Sequence, residues 1–293
     1  MQPTHYPVLL AETLEHLAIR PDGIYYDATA GLGGHTGAIA ARLTTGKVIS
    51  ADRDSESLEL ARANTREVGD RIEFVHSRFS GLQDVLKRLN VTALDGLVAD
   101  LGISRYQLTS PERGFSLMSE GPVDMRMNRT DGGQTAGDIV NYASERELAD
   151  LIFQLGDERR SRRIARALVR ARPIRSTLHM AEVIERAVPR TGALHPATQT
   201  FMGLRIAVNE EREELEALLL QAPNLVKPGG RIVILTFMSS EDRVVKQAFQ
   251  GLAREKKVTL INKHVITPSD DEVRNNPPSR SAKLRALVVG GSN

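Results

Sequence analysis

The residues best suited to chemistry fall in the first hundred positions and are spaced like a ligand cradle. Ala30-Gly31-Leu32-Gly33-Gly34-His35 follows the apolar stretch Gly23 to Ala28 and precedes a helical pattern through Ala38 to Leu43. Strand, glycine turn and helix in that order bring a ligand against bare backbone, because glycine has no Cβ and a helix N-terminus favours polar or anionic groups. The third glycine of a G-x-G-x-x-G dinucleotide fingerprint is missing, its place being taken by Thr36. Asp52 lies 21 residues after Gly31, at the expected end of a second strand, where a carboxylate can accept hydrogen bonds from both hydroxyls of a ribose. Asp100 ends a fourth strand beside the same crevice, and Phe79, just after the third, is placed to flank an adenine ring. Each has a plainer alternative: a tight turn for the glycines, a helix N-cap for Asp52 (a role that Asp54 or Ser55 would fill equally well), a turn cap for Asp100 and core packing for Phe79. Together the four positions ring one nucleoside-sized pocket.

The elements that must position these residues alternate regularly at first. Strand patterns over 23–28, 47–51, 72–75 and 94–99 are separated by helical patterns over 38–43, 58–67 and 82–89. Such spacing implies right-handed parallel crossovers in a doubly wound α/β sheet. The next strand, Arg231 to Thr236, comes about 130 residues later, although a strand-helix-strand unit needs only about 30. The surplus reads as helices. Ser144-Glu145-Arg146-Glu147 has capping-box spacing, helices are expected over 161–172 and 177–187, and Pro196 opens a long one running to about Gln221. An inserted helical domain is therefore expected at 106–197, between sheet-forming parts 1–105 and 198–293. Strands near 258–266 and 282–289 can close the sheet as an antiparallel hairpin across Asp270 to Pro278, and Val226-Lys227-Pro228-Gly229-Gly230-Arg231 reads as a turn before the fifth strand.

Bulk composition excludes more than it assigns. With 41% hydrophobic and 26% charged residues among 293, the chain is ordinary for a globular protein, and a 4% aromatic content without tryptophan leaves the core to Leu, Ile, Val and Ala. There is no cysteine, so disulfide and thiolate chemistry are excluded and a reducing, cytoplasmic setting is expected. The start of the chain lacks the basic-then-apolar profile of a secretory signal, and no run of about 18 apolar residues suggests a membrane partner. No metal-ligand spacing, phosphate loop or nucleophile elbow is present, so no metal is expected.

The net charge of +2 is small, but it is unevenly spread. Glu158 to Arg175 holds Arg159, Arg160, Arg162, Arg163, Arg166, Arg170, Arg172 and Arg175. Arginine pairs bidentately with phosphate, so this stretch points to RNA, with Arg162, Arg163 and Arg166 as candidate contacts. The plainer alternative is a helix neutralised by Glu145, Glu147, Asp150 and Asp157. A second cluster, Arg274, Arg280, Lys283 and Arg285, flanks Asn275-Asn276-Pro277-Pro278-Ser279, making Asn276, Arg280 and Lys283 further candidates. The Asn-Pro-Pro-Ser string looks like the amine-gripping motif of amino-methyltransferases, but that motif follows strand four, where this chain has Asp100-Leu101-Gly102-Ile103-Ser104, so its role is not transferred.

Longer strings resemble one family, the bacterial 16S ribosomal RNA (cytosine-N4)-methyltransferases (RsmH, also called MraW). They are His5 to Leu10, Asp27 to Thr36, Ala51 to Asp54, Asp100 to Ser104 with Gln107, Arg113 to Ser116, Gly121 to Met127, His195 to Phe201 and Ser279 to Arg285. The resemblance implies a Rossmann-like S-adenosylmethionine-dependent methyltransferase sheet with an inserted all-helical domain. It also implies S-adenosyl-L-methionine contacts at Gly33, Gly34, His35, Asp52, Phe79, Asp100 and Gln107. The implied product is N4-methylcytidine in the decoding region of the small ribosomal subunit. One departure is Asn276-Pro277-Pro278-Ser279-Arg280, where the family more usually has a basic residue after the first proline. Two other functions share features with this reading, an NAD-dependent oxidoreductase and a non-catalytic RNA-binding or ribosome-assembly protein. The sequence names no catalytic base and leaves the oligomeric state open, a homodimer included.

Overall fold

In a computed structural model the residues described are 7–190, 192 and 194–290. The expected His5-Tyr6 pair lies outside them. The chain forms two compact units, 1–102 with 213–293, and 103–212.

The first unit is a seven-stranded sheet. Its elements in chain order are α1 (Leu10–Leu17), β1 (Ile24–Asp27), α2 (Gly34–Ala40), β2 (Lys47–Asp52), α3 (Ser55–Asn64), β3 (Ile72–His76), α4 (Leu82–Arg88) and β4 (Leu94–Asp100). The second unit holds α5 (Arg105–Thr109), α6 (Ala136–Tyr142), α7 (Glu145–Gly156), α8 (Ser161–Arg170), α9 (Thr177–Ala187) and α10 (Thr198–Asn209). Then α11 (Glu211–Leu225) leads back to β5 (Val226–Thr236), α12 (Ser239–Arg254), β6 (Val258–Leu260), α13 (Asp270–Asn275) and β7 (Lys283–Val289).

The strand order is β3-β2-β1-β4-β5-β7-β6, parallel except for β7, which runs antiparallel to both neighbours. Alternate residues feed two cores. Tyr26, Ile49, Leu97 and Ile232 enter one, and Tyr25, Val48, Val98 and Val233 enter the other. A sheet apolar on both faces needs helices on both, which is why its strands read as continuous apolar runs.

Three expectations about extent are corrected. The Pro228-Gly229-Gly230 turn lies inside β5 rather than before it. Val226 pairs with Leu94 and Arg231 with Gly96, so the extra β5 residues bulge out of the ladder. Gly229 has φ +83, and a Cβ on Gly230 would stand 2.8 Å from the Asp95 carbonyl oxygen. The strand expected over 258–266 shortens to β6 plus a single bridge, Ile266 to Leu284, and the link to β7 carries α13 and a 3-10 turn, Pro277–Ser281. The long helix expected from Pro196 to Gln221 breaks at Glu210, whose φ is 50. The break is imposed by Asn209, which is buried: its Oδ1 accepts from the Met127 amide at 2.8 Å and its Nδ2 donates to the Met125 carbonyl at 2.7 Å. Glu211 then receives two bonds from Arg205, at 2.7 and 2.9 Å.

The helical unit has its own core, from Phe115, Met125 and Met127 through Ile152, Ile164 and Leu168 to Phe201 and Leu204. It includes α10, which the sequence reading had assigned to the sheet-forming part. Helices α7 and α10 meet at glycines: a Cβ on Gly156 would come within 2.3 Å of the Gln199 carbonyl oxygen. Arg113 is almost fully buried and donates to the carbonyl of Met127 at 2.7 Å, which pins the Asp124 to Met127 string.

Candidate cofactor site

The carboxyl ends of β1, β2 and β4 each finish on an aspartate: Asp27, Asp52 and Asp100. Neighbouring parallel strands in register bring these ends together at one edge of the sheet, the place where open α/β sheets bind ligands. Between β1 and α2 the backbone passes through left-handed conformations at Gly31 (φ +50) and Gly33 (φ +87), which glycine adopts without steric cost. A Cβ on Gly33 would stand 2.8 Å from the Thr65 methyl, so the turn lies flush against the end of α3.

Asp52 holds this turn in place. Its Oδ2 accepts from the Gly31 amide at 2.9 Å and its Oδ1 from the Asp54 amide at 2.9 Å. The N-cap of α3 is Asp54, which accepts from the Glu56 amide at 3.0 Å, so Asp52 is not the helix cap. Phe79 follows β3, which pairs with β2 up to Asp52 and His76; its ring is half-buried and packs at the margin of one core.

Asp100 is tied into the same edge. Its amide donates to Thr29 Oγ1 at 2.7 Å, and the Thr29 amide donates to Asp27 at 3.0 Å. Thr36 fills the place of the absent third glycine and gives its hydroxyl to Asp27 at 2.6 Å, with Ser50 beside it at 2.7 Å. His35 is buried and turns its Nε2 to the Val8 carbonyl at 3.1 Å, leaving Nδ1 facing Asp100 Oδ2 at 3.7 Å. The Nε2 therefore carries the proton. Asp100 Oδ1 is buried with no hydrogen-bond partner.

Burial dominates the electrostatics. It pushes the Asp52 carboxyl up to about 6 and Asp27 up to about 7. Asp100 rises to about 8, through burial first and then the nearby acids Asp27 and Glu241. Three crowded acids raised by burial favour a ligand that brings positive charge, and the unsatisfied buried Asp100 Oδ1 calls for a donor. S-adenosylmethionine, with its sulfonium, its ammonium and two ribose hydroxyls, fits that donor set. Among the described residues no group of three His, Asp or Glu could hold a metal ion.

Gly33, Gly34, His35, Asp52, Phe79 and Asp100 thus share one sheet edge. Gln107 belongs to the helical unit, where its Oε1 accepts from the Ser104 amide at 2.9 Å to close a capping box. The sequence assigns no site role to Asp27 or Thr29, and marks Thr36 only as the residue in place of a third glycine. The signal for Asp27 was present, because it ends its strand as Asp52 and Asp100 end theirs.

The basic residues divide into two kinds. Arg160 forks onto buried Glu158 at 3.0 Å and reaches the Pro189 carbonyl at 2.9 Å, while Arg172 donates to the Val140 carbonyl at 2.8 Å. These two hold the helical unit together. Arg162, Arg163 and Arg166 lie on the exposed face of α8, with Arg166 paired to Glu145 at 3.2 Å. Arg285 is spent on Asp242 at 2.6 and 3.1 Å, and Lys283 stands 3.8 Å from the same carboxylate. Arg280 is exposed and Asn276 half-buried.

A family model described as the MraW methylase family matches residues 2–289. A "Ribosomal RNA small subunit methyltransferase H" from Solibacter usitatus (strain Ellin6076) is 61% identical over 97% of this chain and 99% of its own length. Proteins of the same name from Koribacter versatilis (strain Ellin345) and Gloeobacter violaceus (strain ATCC 29082 / PCC 7421) are 47% and 43% identical over 97% and 96% of this chain, and over 94% and 87% of their own. A crystal structure assigned to the rRNA methylases, from Clostridium thermocellum, superposes with a TM-score of 0.51 at 10% identity, covering 97% of this chain and 99% of that one, and so shares the fold. The match over nearly the whole chain, glycine turn and helical insertion included, decides against the dehydrogenase reading: the chain belongs to the MraW methylase family.

Proposed function

We propose that this methyltransferase moves the methyl group of S-adenosyl-L-methionine to the exocyclic N4 amine of a cytidine in the decoding region of small-subunit ribosomal RNA. The observation that carries the reading is the end-to-end similarity to relatives named for small-subunit ribosomal RNA methylation. It is supported by the three-aspartate edge with its unsatisfied Asp100 oxygen. The cofactor supplies a methyl group activated on a sulfonium. The Asp52 carboxylate accepts the ribose hydroxyls, Phe79 flanks the adenine, and the Gly31–Gly34 backbone lets the ligand approach. Asp100 offers its Oδ1 to a cofactor donor, and Gln107 is a further proposed cofactor contact.

The acceptor amine is a weak nucleophile, its lone pair being delocalised into the ring. Holding it in line with the methyl supplies most of the rate through proximity and orientation. The target base must first leave its stack, at a cost of a few kcal/mol. Arg162, Arg163 and Arg166 on α8, with Asn276, Arg280 and Lys283 near β7, hold the RNA backbone meanwhile. No helix among the described residues is long and apolar enough to cross a membrane; the proposed ribosomal substrate is what supports a cytoplasmic location. The decisive measurement is mass spectrometry of ribosomal RNA from a strain lacking the gene. Loss of one N4 cytosine methyl, restored by the gene, supports the reading; an unchanged methylation pattern ends it.

A further inference from the structure

The glycine turn is also held from the N-terminal side. Pro7 lies against Gly34, where an added Cβ would come within 2.5 Å of the proline ring. The carbonyl of Val8 accepts the His35 Nε2 bond at 3.1 Å. Leu9 donates its amide to Glu272 Oε1 at 2.8 Å, across 263 positions of sequence. Its buried side chain belongs to the apolar cluster that also holds Ala282 and Leu284. Leu9 keeps a left-handed backbone, φ 50 and ψ 39, which a branched residue retains only where its surroundings impose it. Three consecutive residues therefore form a strap, two on the cofactor turn and the third on α13.

Glu272 is the outer anchor, and it also leads onward. Its carbonyl accepts the Asn276 amide at 2.7 Å, the Asn276 carbonyl accepts the Ser279 amide at 2.9 Å, and the Ser279 carbonyl accepts the Ala282 amide at 2.7 Å. A hydrogen-bonded path thus joins the cofactor turn to the segment that bears Asn276, Arg280 and Lys283.

We propose that Glu272 is a positioning residue that latches the strap, so that the cofactor turn and the basic 276–283 segment respond together and each ligand tightens the other. This rests on the cofactor and RNA assignments above. Glu272 acts through Leu9, Val8 and Pro7. Coupling of this kind is reciprocal, and a shift of about fivefold or more is the ordinary scale.

The test uses the full chain and S-adenosylhomocysteine, which permits a complex without turnover. Its Kd is measured by calorimetry alone and with saturating small ribosomal subunits that lack the methyl mark, at a temperature where every variant is shown to be folded. The wild type is expected to bind about fivefold tighter with subunits present. Glu272→Ala should weaken binding and abolish that gain, whereas Glu272→Gln, which keeps an oxygen for the Leu9 amide, should retain it. Equal coupling in wild type and Glu272→Ala, or Glu272→Gln behaving as Glu272→Ala, overturns the latch. As a second probe, Gly34→Ala should weaken the cofactor and Pro7→Gly in that background should restore part of the loss; no recovery overturns the strap. A wild type that binds no S-adenosylhomocysteine at all would instead defeat the cofactor assignment.

Discussion

Asp52 and Asp100 carry carboxyls that burial raises to about 6 and about 8, and in the site proposed above both accept hydrogen bonds from the bound cofactor. A ligand that binds the ionised form must displace the proton wherever the pH lies below the free-state pKa. Affinity should therefore be flat above pH about 8, fall by up to about tenfold per unit below that through Asp100, and fall more steeply below pH about 6 once Asp52 joins. Calorimetry at pH about 7 in buffers of different ionisation enthalpy should show proton release on binding; a pH-independent Kd with no release would contradict the assignment of both acids. Asp52→Ala removes two charge-assisted bonds to ribose, each worth about 1.5–3 kcal/mol, so the cofactor Kd should rise at least ~100-fold. The Gly31 amide also loses its acceptor, so the thermal midpoint must be measured beside the Kd. Unchanged affinity in a folded Asp52→Ala protein would remove the pocket.

Helices and strands show where the sequence was legible and where it was not. The parallel half of the sheet was readable because its strands are continuous apolar runs and its helices have ordinary length. The break between α10 and α11 was not, since nothing in the local pattern announces that Asn209 turns inward to serve Met125 and Met127. A polar side chain that satisfies distant backbone leaves no periodic trace. The aspartates were legible singly, but the Thr29 and Thr36 hydroxyls that tie them together are contacts between strands, invisible until the register is known. Asn209→Ala tests how much one such contact holds. Two buried backbone groups would lose partners, at about 1–3 kcal/mol each, so urea denaturation followed in the helical unit should show about 2–4 kcal/mol less stability. A loss under about 1 kcal/mol would mean that water replaces the side chain without difficulty.

At the scale of the whole chain, some basic residues hold the fold while others stay exposed and are proposed to meet RNA. The exposed pair Arg162 and Arg163 should act on RNA alone. Replacing both with alanine should reduce the slope of log affinity against log salt by about 2 and leave cofactor binding untouched. Arg160→Ala, by contrast, would strand the buried Glu158 carboxylate and should lower thermal stability; equal RNA and stability effects in the two variants would erase the distinction. The discontinuity of the sheet-forming unit bears on how the chain is made. β4, buried along nearly its whole length, ends at Asp100, and its neighbour β5 begins at Val226, 126 residues later. Domains tend to fold as they emerge, at about 5–20 residues per second. During synthesis the apolar edge of β4 must therefore wait several seconds for its partner, while the helical unit, which needs only 103–212 for its core, can condense first. Nascent chains halted once residue 212 has cleared the ribosomal exit tunnel should carry a protease-resistant helical unit joined to an open sheet edge, the stage at which this protein would most need a chaperone.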